Sequence, residues 1–204
     1  SQRLSQGATK SLVTSEIAAR RGLGLAILPA SDDPVATILD TEIGELTFQS
    51  YFVQHHHSVT TRSIRYEGAA TARPSDAALT ALRTAERIII APSNPVLSIE
   101  PILAIPGFRD ILVARRDHVT AISPFVGGSA LKGPADRLMN ELGFGASNVG
   151  IAKYYADYVS TLVIDEVDSA DIREVEAEGV SVRVTTTVMA DPAHADQLVR
   201  TVLA

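Results

Sequence analysis

Three consecutive isoleucines, Ile88-Ile89-Ile90, run directly into Ala91-Pro92-Ser93-Asn94-Pro95-Val96-Leu97-Ser98-Ile99. A short, uninterrupted apolar run closed by proline and small polar residues reads as a buried strand, then a tight loop and a helix start. The alternation continues to the end of the chain. Strands are expected at 119–123, 162–164 and 180–187, and helices at 75–85, 106–114, 133–142, 147–158, 169–176 and 193–202. Strands that alternate with helices predict βαβ units, and so an α/β, Rossmann-like, mostly parallel sheet flanked by helices.

Upstream of Pro74 the pattern differs. Leu12, Val13, Ile17 and Ala18 fall at near-helical spacing ahead of Gly22, so a helix is expected over 5–21, followed by a strand at Leu25-Ala26-Ile27-Leu28. Residues 35–40, 46–53 and 61–66 are β-prone, and Thr41-Glu42-Ile43-Gly44 suits a hairpin. Residues 35–67 therefore read as a β-rich hairpin insertion within a single α/β domain over 1–204.

The charge balance narrows the partners. A formal charge of −6, with 46% hydrophobic and 21% charged residues, suits a globular domain and argues against nucleic acid or an anionic membrane as a general partner. Without cysteine, neither a disulfide frame nor a thiolate metal site can form. No apolar run reaches the roughly 18 residues of a membrane-spanning helix. With no signal-peptide pattern either, the expectation is a cytoplasmic protein acting on small molecules.

In open α/β sheets ligands bind outside the carboxyl ends of the strands, where a helix N-terminus offers N–H groups to an anion. Ser93, Asn94 and Ser98 stand at such a place. The same residues also make good turn chemistry, with Ser98 a plausible helix cap. A second loop, Ser123-Pro124-Phe125-Val126-Gly127-Gly128-Ser129-Ala130-Leu131-Lys132-Gly133, follows the next expected strand. Its glycines, Gly127 and Gly128 foremost, permit close backbone approach to a ligand, and Lys132 supplies a cation. It is not a Walker A loop, because Gly133 follows the lysine. Two such loops after consecutive strands favour a shared phosphate site.

Acidic residues also fall at strand ends. Asp165, Glu166, Asp168 and Asp191 fit two roles, a hydrated divalent cation or helix capping, and capping is the commoner. Asp32-Asp33 reads equally as crevice or turn. His55-His56-His57, on an extended strand, would send neighbours to opposite faces, which disfavours a metal cluster. His118 and His194 read as surface or capping residues. Of Tyr154 and Tyr155, one is expected to pack and the other to be available for stacking.

The stretch Ala91-Pro92-Ser93-Asn94-Pro95, then Ser98-Ile99, Pro101-Ile102-Leu103-Ala104 and Pro106-Gly107, resembles the 2-phospho-L-lactate transferase / phosphoenolpyruvate transferase family of coenzyme F-420 biosynthesis. Ser123-Pro124 with Gly127-Gly128 and Ala130-Leu131-Lys132-Gly133-Pro134-Ala135-Asp136 is similar to its second signature. Val163-Ile164-Asp165 and Met189-Ala190-Asp191-Pro192 match later ones, and Leu4-Ser5-Gln6-Gly7, Leu28-Pro29-Ala30-Ser31-Asp32-Asp33 and Phe48-Gln49-Ser50-Tyr51-Phe52-Val53 earlier ones. Glu100 departs from the glycine of that pattern.

The resemblance implies a magnesium (Mg2+) dependent transfer of a phospholactyl or phosphoenolpyruvyl group from a guanosine-diphosphate-linked donor to the deazaflavin Fo, releasing GMP. On it, Ser93, Asn94, Ser98, Gly127, Gly128 and Lys132 would wrap the donor's nucleotide portion, and a homodimer is expected. The family's glycine-rich first turn and its Asn-Thr-Gly-Asp-Asp-like segment, associated with the metal and deazaflavin, do not occur in these residues. The chain is therefore read as an N-terminally incomplete member, with metal ligands expected outside it and no acid–base residue assigned. The alternatives are a nucleotide-metabolite-binding regulator of the same superfamily, or an inactive fragment.

Overall fold

The structure is a computed structural model and describes residues 2–131 and 133–204. Helices α1 (Gln2–Ser5) and α2 (Lys10–Arg20) open it, with Thr9 Oγ1 accepting the Leu12 N–H to start α2. Three antiparallel strands follow, β1 (Ala36–Thr41), β2 (Gly44–Thr47) and β3 (Thr61–Glu67), in the order β2-β1-β3. The expected strand over 46–53 stops at Thr47, and Ser50–Gln54 instead form a π-helical turn. That turn buries Tyr51 completely among Leu39, Val96 and Leu138, contacts that outweigh the segment's β preference.

The remainder alternates as expected. Its elements are α3 (Asp76–Thr84), β4 (Ile88–Ile90), α4 (Glu100–Leu103), α5 (Phe108–Ala114), β5 (Val119–Ile122), β6 (Phe125–Val126) and β7 (Ser129–Ala130). Then come α6 (Ala135–Glu141), α7 (Asn148–Tyr155), β8 (Thr161–Ile164), α8 (Ile172–Ala177), β9 (Ser181–Val184) and α9 (Pro192–Leu203). Strands β4, β5, β8 and β9 pair in that order, all parallel.

Period-two alternation divides the core into two layers. Ala121, Leu162 and Ile164 point to the side where Leu79, Leu103, Phe108, Leu112, Ile151 and Val175 pack. Their neighbours Ile122 and Val163 point the other way, onto Leu198 and Val202 of α9. Each such valine, leucine, isoleucine or phenylalanine side chain contributes about 1.5–3 kcal/mol by leaving water.

Leu25–Leu28 is not a strand among the described residues. It has no regular structure and no strand partner among the described residues, with Leu25 and Ile27 exposed. An apolar cavity of about 340 Å3 is lined by Leu28 and Ala30 together with Ile88, Ile90, Leu103 and Phe108. Strand β4 is the edge of the sheet, and its middle residue Ile89 is 45% exposed.

Replacing Leu162, wholly buried in the main layer, by alanine is expected to lower stability by about 2–5 kcal/mol in urea unfolding. At the exposed Ile89 the same truncation is expected to cost less than about 1 kcal/mol. Equal losses would contradict this division of inside from outside.

Candidate functional site

The loops that leave the carboxyl ends of β4, β5 and β9 meet in one cleft of about 330 Å3. Its lining includes Ser93 and Asn94 after β4, Ser123 and Pro124 after β5, and Thr187 to Met189 after β9. A parallel sheet brings this about by geometry, since all its strands end on the same side.

After β4 the chain enters a π-helical turn over Pro95–Ile99 rather than a regular helix. Asn94 caps it, its Oδ1 accepting the N–H groups of Val96 and Leu97 at 3.1 Å each. The cap is therefore Asn94 and not Ser98, and these first N–H groups are already satisfied within the protein. The other half of the Asn94 amide, Nδ2, is buried without a hydrogen-bond partner among the described residues. Ser93 Oγ likewise makes no hydrogen bond to a described residue.

After β5, Ser123 is buried; its hydroxyl donates to Asn148 Oδ1 at 2.6 Å and accepts the Phe125 N–H. Asn148 Nδ2 in turn donates to Asp171 Oδ2 at 3.0 Å. Strands β6 and β7 form a small hairpin closed by Gly127-Gly128, with φ of +61° and +77°, left-handed values that suit glycine at both positions of a two-residue turn. The Gly127 N–H donates to Asp168 Oδ2 at 3.0 Å. Gly150 at the start of α7 has no room for a side chain: a Cβ there would lie 2.1 Å from the Gly145 carbonyl oxygen.

At the end of β8, Asp165 is buried and ties two loops together. Its Oδ2 accepts the N–H and hydroxyl of Thr187 at 2.7 and 3.0 Å, and its Oδ1 accepts the Val167 N–H. Burial pushes this carboxyl's pKa up, but the N–H groups of Thr187 and Val167 and the Thr187 hydroxyl outweigh it and hold the pKa below its usual range. Asp191 is a cap as well, accepting the N–H groups of Ala193 and His194.

Of the candidates singled out in the sequence, Ser93 and Asn94 line the cleft. Ser98 is exposed outside its lining, and Gly127 and Gly128 shape the hairpin whose Val126 lines it. Lys132 falls outside the described residues. Ser123 belongs to the second candidate loop and Thr187 to no motif; both hydroxyls donate to protein acceptors, which leaves Asn94 Nδ2 and Ser93 Oγ as side-chain donors of lining residues with no partner among the described residues. No sequence signal marks Thr187, because the β-prone pattern extends the last strand to 187, whereas β9 ends at Val184 and releases Thr187 into the cleft.

No group of three or more His, Asp or Glu is placed to hold a cation among the described residues, and Asp165 and Asp168 accept protein N–H groups instead. His55–His57 do not lie on a strand. They follow the Ser50–Gln54 turn, with His56 and His57 at φ +47° and +45°. Tyr155 is fully buried, and Tyr154 is held by a hydrogen bond to Glu100 and an edge-on contact with Phe144, so neither ring is left free to stack on a ligand.

Comparison with known proteins gives a consistent answer. The family model described as 2-phospho-L-lactate transferase CofD matches residues 2–203. The chain is 37% identical over 186 residues to the 2-phospho-L-lactate transferase of Methanococcoides burtonii, covering 91% of this chain and 60% of that protein. It is 35% identical over 209 residues to the phosphoenolpyruvate transferase of Kitasatospora aureofaciens, covering 100% and 65%. The chain thus spans about three-fifths of the length of these curated relatives. A crystal structure of protein BH3568 from Bacillus halodurans shares the fold, with a TM-score of 0.69 at 16% identity, covering 98% of this chain and 68% of that one.

Because the Asp165 carboxyl titrates below its unfolded value, it stabilises the fold above the unfolded pKa of about 3.9, and this contribution is lost as pH falls through the folded pKa. Asp165→Asn is expected to cost about 1–3 kcal/mol at neutral pH in urea unfolding. The gap from wild type should shrink on acidification through that range. A gap independent of pH would contradict the ionised, N–H-bound carboxylate.

Proposed function

The chain belongs to the 2-phospho-L-lactate transferase CofD family, and from that membership together with the cleft we propose that the protein transfers a 2-phospholactyl group from a guanosine-diphosphate-linked donor to the deazaflavin Fo, releasing GMP. A phosphoenolpyruvyl donor is the second form of the same reaction, in keeping with the relative of that name. The observation that carries this reading is that Ser93 and Asn94, whose Oγ and buried Nδ2 find no partner among the described residues, line a cleft at the carboxyl end of a parallel sheet. A buried amide N–H2 with no acceptor costs free energy that a ligand oxygen would recover.

In the proposed reaction the acceptor's primary hydroxyl oxygen bonds to the donor phosphorus that carries the lactyl ester. The bridging P–O bond of the diphosphate breaks, GMP leaves with the electron pair, and the hydroxyl proton is released. The residues of this chain contribute binding and orientation. Asn94 and Ser93 would donate to diphosphate oxygens, while the Asp165–Thr187 and Ser123–Asn148–Asp171 bonds hold the opposite loops in place. Among the described residues no cluster of three or more carboxylate or histidine ligands lies there to hold a cation.

The test is GMP release with Fo, magnesium and each guanylylated donor supplied separately. Product is expected with at least one donor, and Asn94→Ala is expected to lower kcat/KM by about 10–100-fold, the loss of one charge-assisted hydrogen bond. Guanine-nucleotide binding without product from folded protein would overturn the transferase reading in favour of a binding protein.

A further inference from the structure

Glu100, which stands where the resembling pattern carries glycine, ends the turn that Asn94 begins. Its side chain is only 18% exposed. One carboxylate oxygen pairs with the Arg109 guanidinium of α5, and the other accepts the Tyr154 hydroxyl of α7 at 2.9 Å. The Arg109 guanidinium lies 5.2 Å from the ring centroid of Tyr158. Burial, and after it the Glu100 carboxylate, push the Tyr154 pKa up, so the phenol stays a donor.

Between Asn94 and Glu100 the backbone follows the wider π spacing. Ile99 N–H reaches Asn94 O at 3.4 Å, and the Glu100 N–H donates to Pro95 O. Such a turn is uncommon and needs support from outside itself. At the near end Asn94 Oδ1 holds Val96 and Leu97, and in the middle the Tyr66 hydroxyl donates to Val96 O at 2.6 Å. At the far end the anchor is Glu100. A partly buried ion pair such as this adds little net stability, because desolvation and solvent screening offset much of its attraction, but it restricts geometry.

We propose that Glu100 is a positioning residue for the cleft, holding the far end of the π turn against α5 and α7 so that the Asn94 amide keeps its free donor in place for a phosphate oxygen. The ligand half of this inference rests on the function proposed above; the structural half does not. Asn94 remains the residue that would touch ligand, and Glu100 acts through it.

The experiment compares wild type with Glu100→Gln, Asn94→Ala and the double variant, by residue-resolved amide hydrogen exchange and by calorimetric titration with GDP. Glu100→Gln keeps an oxygen for Tyr154 but loses the charge pair to Arg109. Exchange at Val96 and Leu97 is expected to quicken about tenfold while core amides such as Leu162 and Ile164 are unchanged. GDP affinity should fall about tenfold in Glu100→Gln, and the double variant should bind no more weakly than Asn94→Ala alone. Tyr154→Phe, which removes only the second anchor, should give the same local signature at smaller amplitude, and serves if Glu100→Gln does not fold. Unchanged exchange at Val96 and Leu97, a uniform rise across the core, or additive losses in GDP affinity would each overturn the proposal. Wild type that fails to bind GDP, with the local exchange signature intact, would overturn the proposed function and the ligand half while upholding the anchoring.

Discussion

Every strand of the main sheet runs the same way, and the rest of the structure depends on that. Parallel pairing of β4, β5, β8 and β9 puts all their carboxyl ends on one edge, so three successive connections must leave from the same side. The layers follow from the same strands. Ala121 and Leu162 face the helices that return the chain, while Ile122 and Val163 face α9. A cleft on that edge is a consequence of the topology. What the sequence adds is the set of side chains that keep its loops apart and in register.

Those side chains are polar and they bond mostly to backbone or to one another. Asp165 joins the end of β8 to Thr187, Asp168 holds the β6–β7 turn through the Gly127 N–H, and Ser123 with Asn148 and Asp171 links β5 to the start of α7. Each carboxylate is placed where donors converge, which is how a buried charge avoids a large desolvation cost. Read singly along the chain, the aspartates after β8 fit a cation site or, more often, helix caps. Their partners show that they fasten loops, and the donors left over on the cleft wall belong to the opposite side, at Ser93 and Asn94.

The main sheet was legible because apolar runs such as Ile88–Ile90 and Leu162–Ile164 leave little choice of element, and Ser75 and Ser147 mark helix starts by their caps. The exceptions have physical reasons. Leu25–Leu28 has strand composition, but a strand exists only with a partner, and a run of residues does not announce whether one lies beside it. Phe48–Val53 has β propensity, yet burying Tyr51 against Val96 and Leu138 requires the chain to turn. Within the site, the Ser93-Asn94 loop stood out because of its place after β4. Thr187 did not, because its role comes from a bond to Asp165 that is 22 residues away in the chain.

Asn94 shows why capping and ligand binding need not compete. An asparagine side chain carries an acceptor and a donor on one rigid amide, and here the acceptor closes the turn by taking the Val96 and Leu97 N–H groups. That bond leaves the amide nitrogen without a partner among the described residues and fixes its direction at no further entropic cost. Aspartate would cap the turn equally well but would set a negative charge against a phosphate, and serine would cap it without a second polar atom to offer. Turn chemistry and an anion site are thus compatible in this loop. On the proposed function one side chain would serve both, and the turn it closes holds the donor in place.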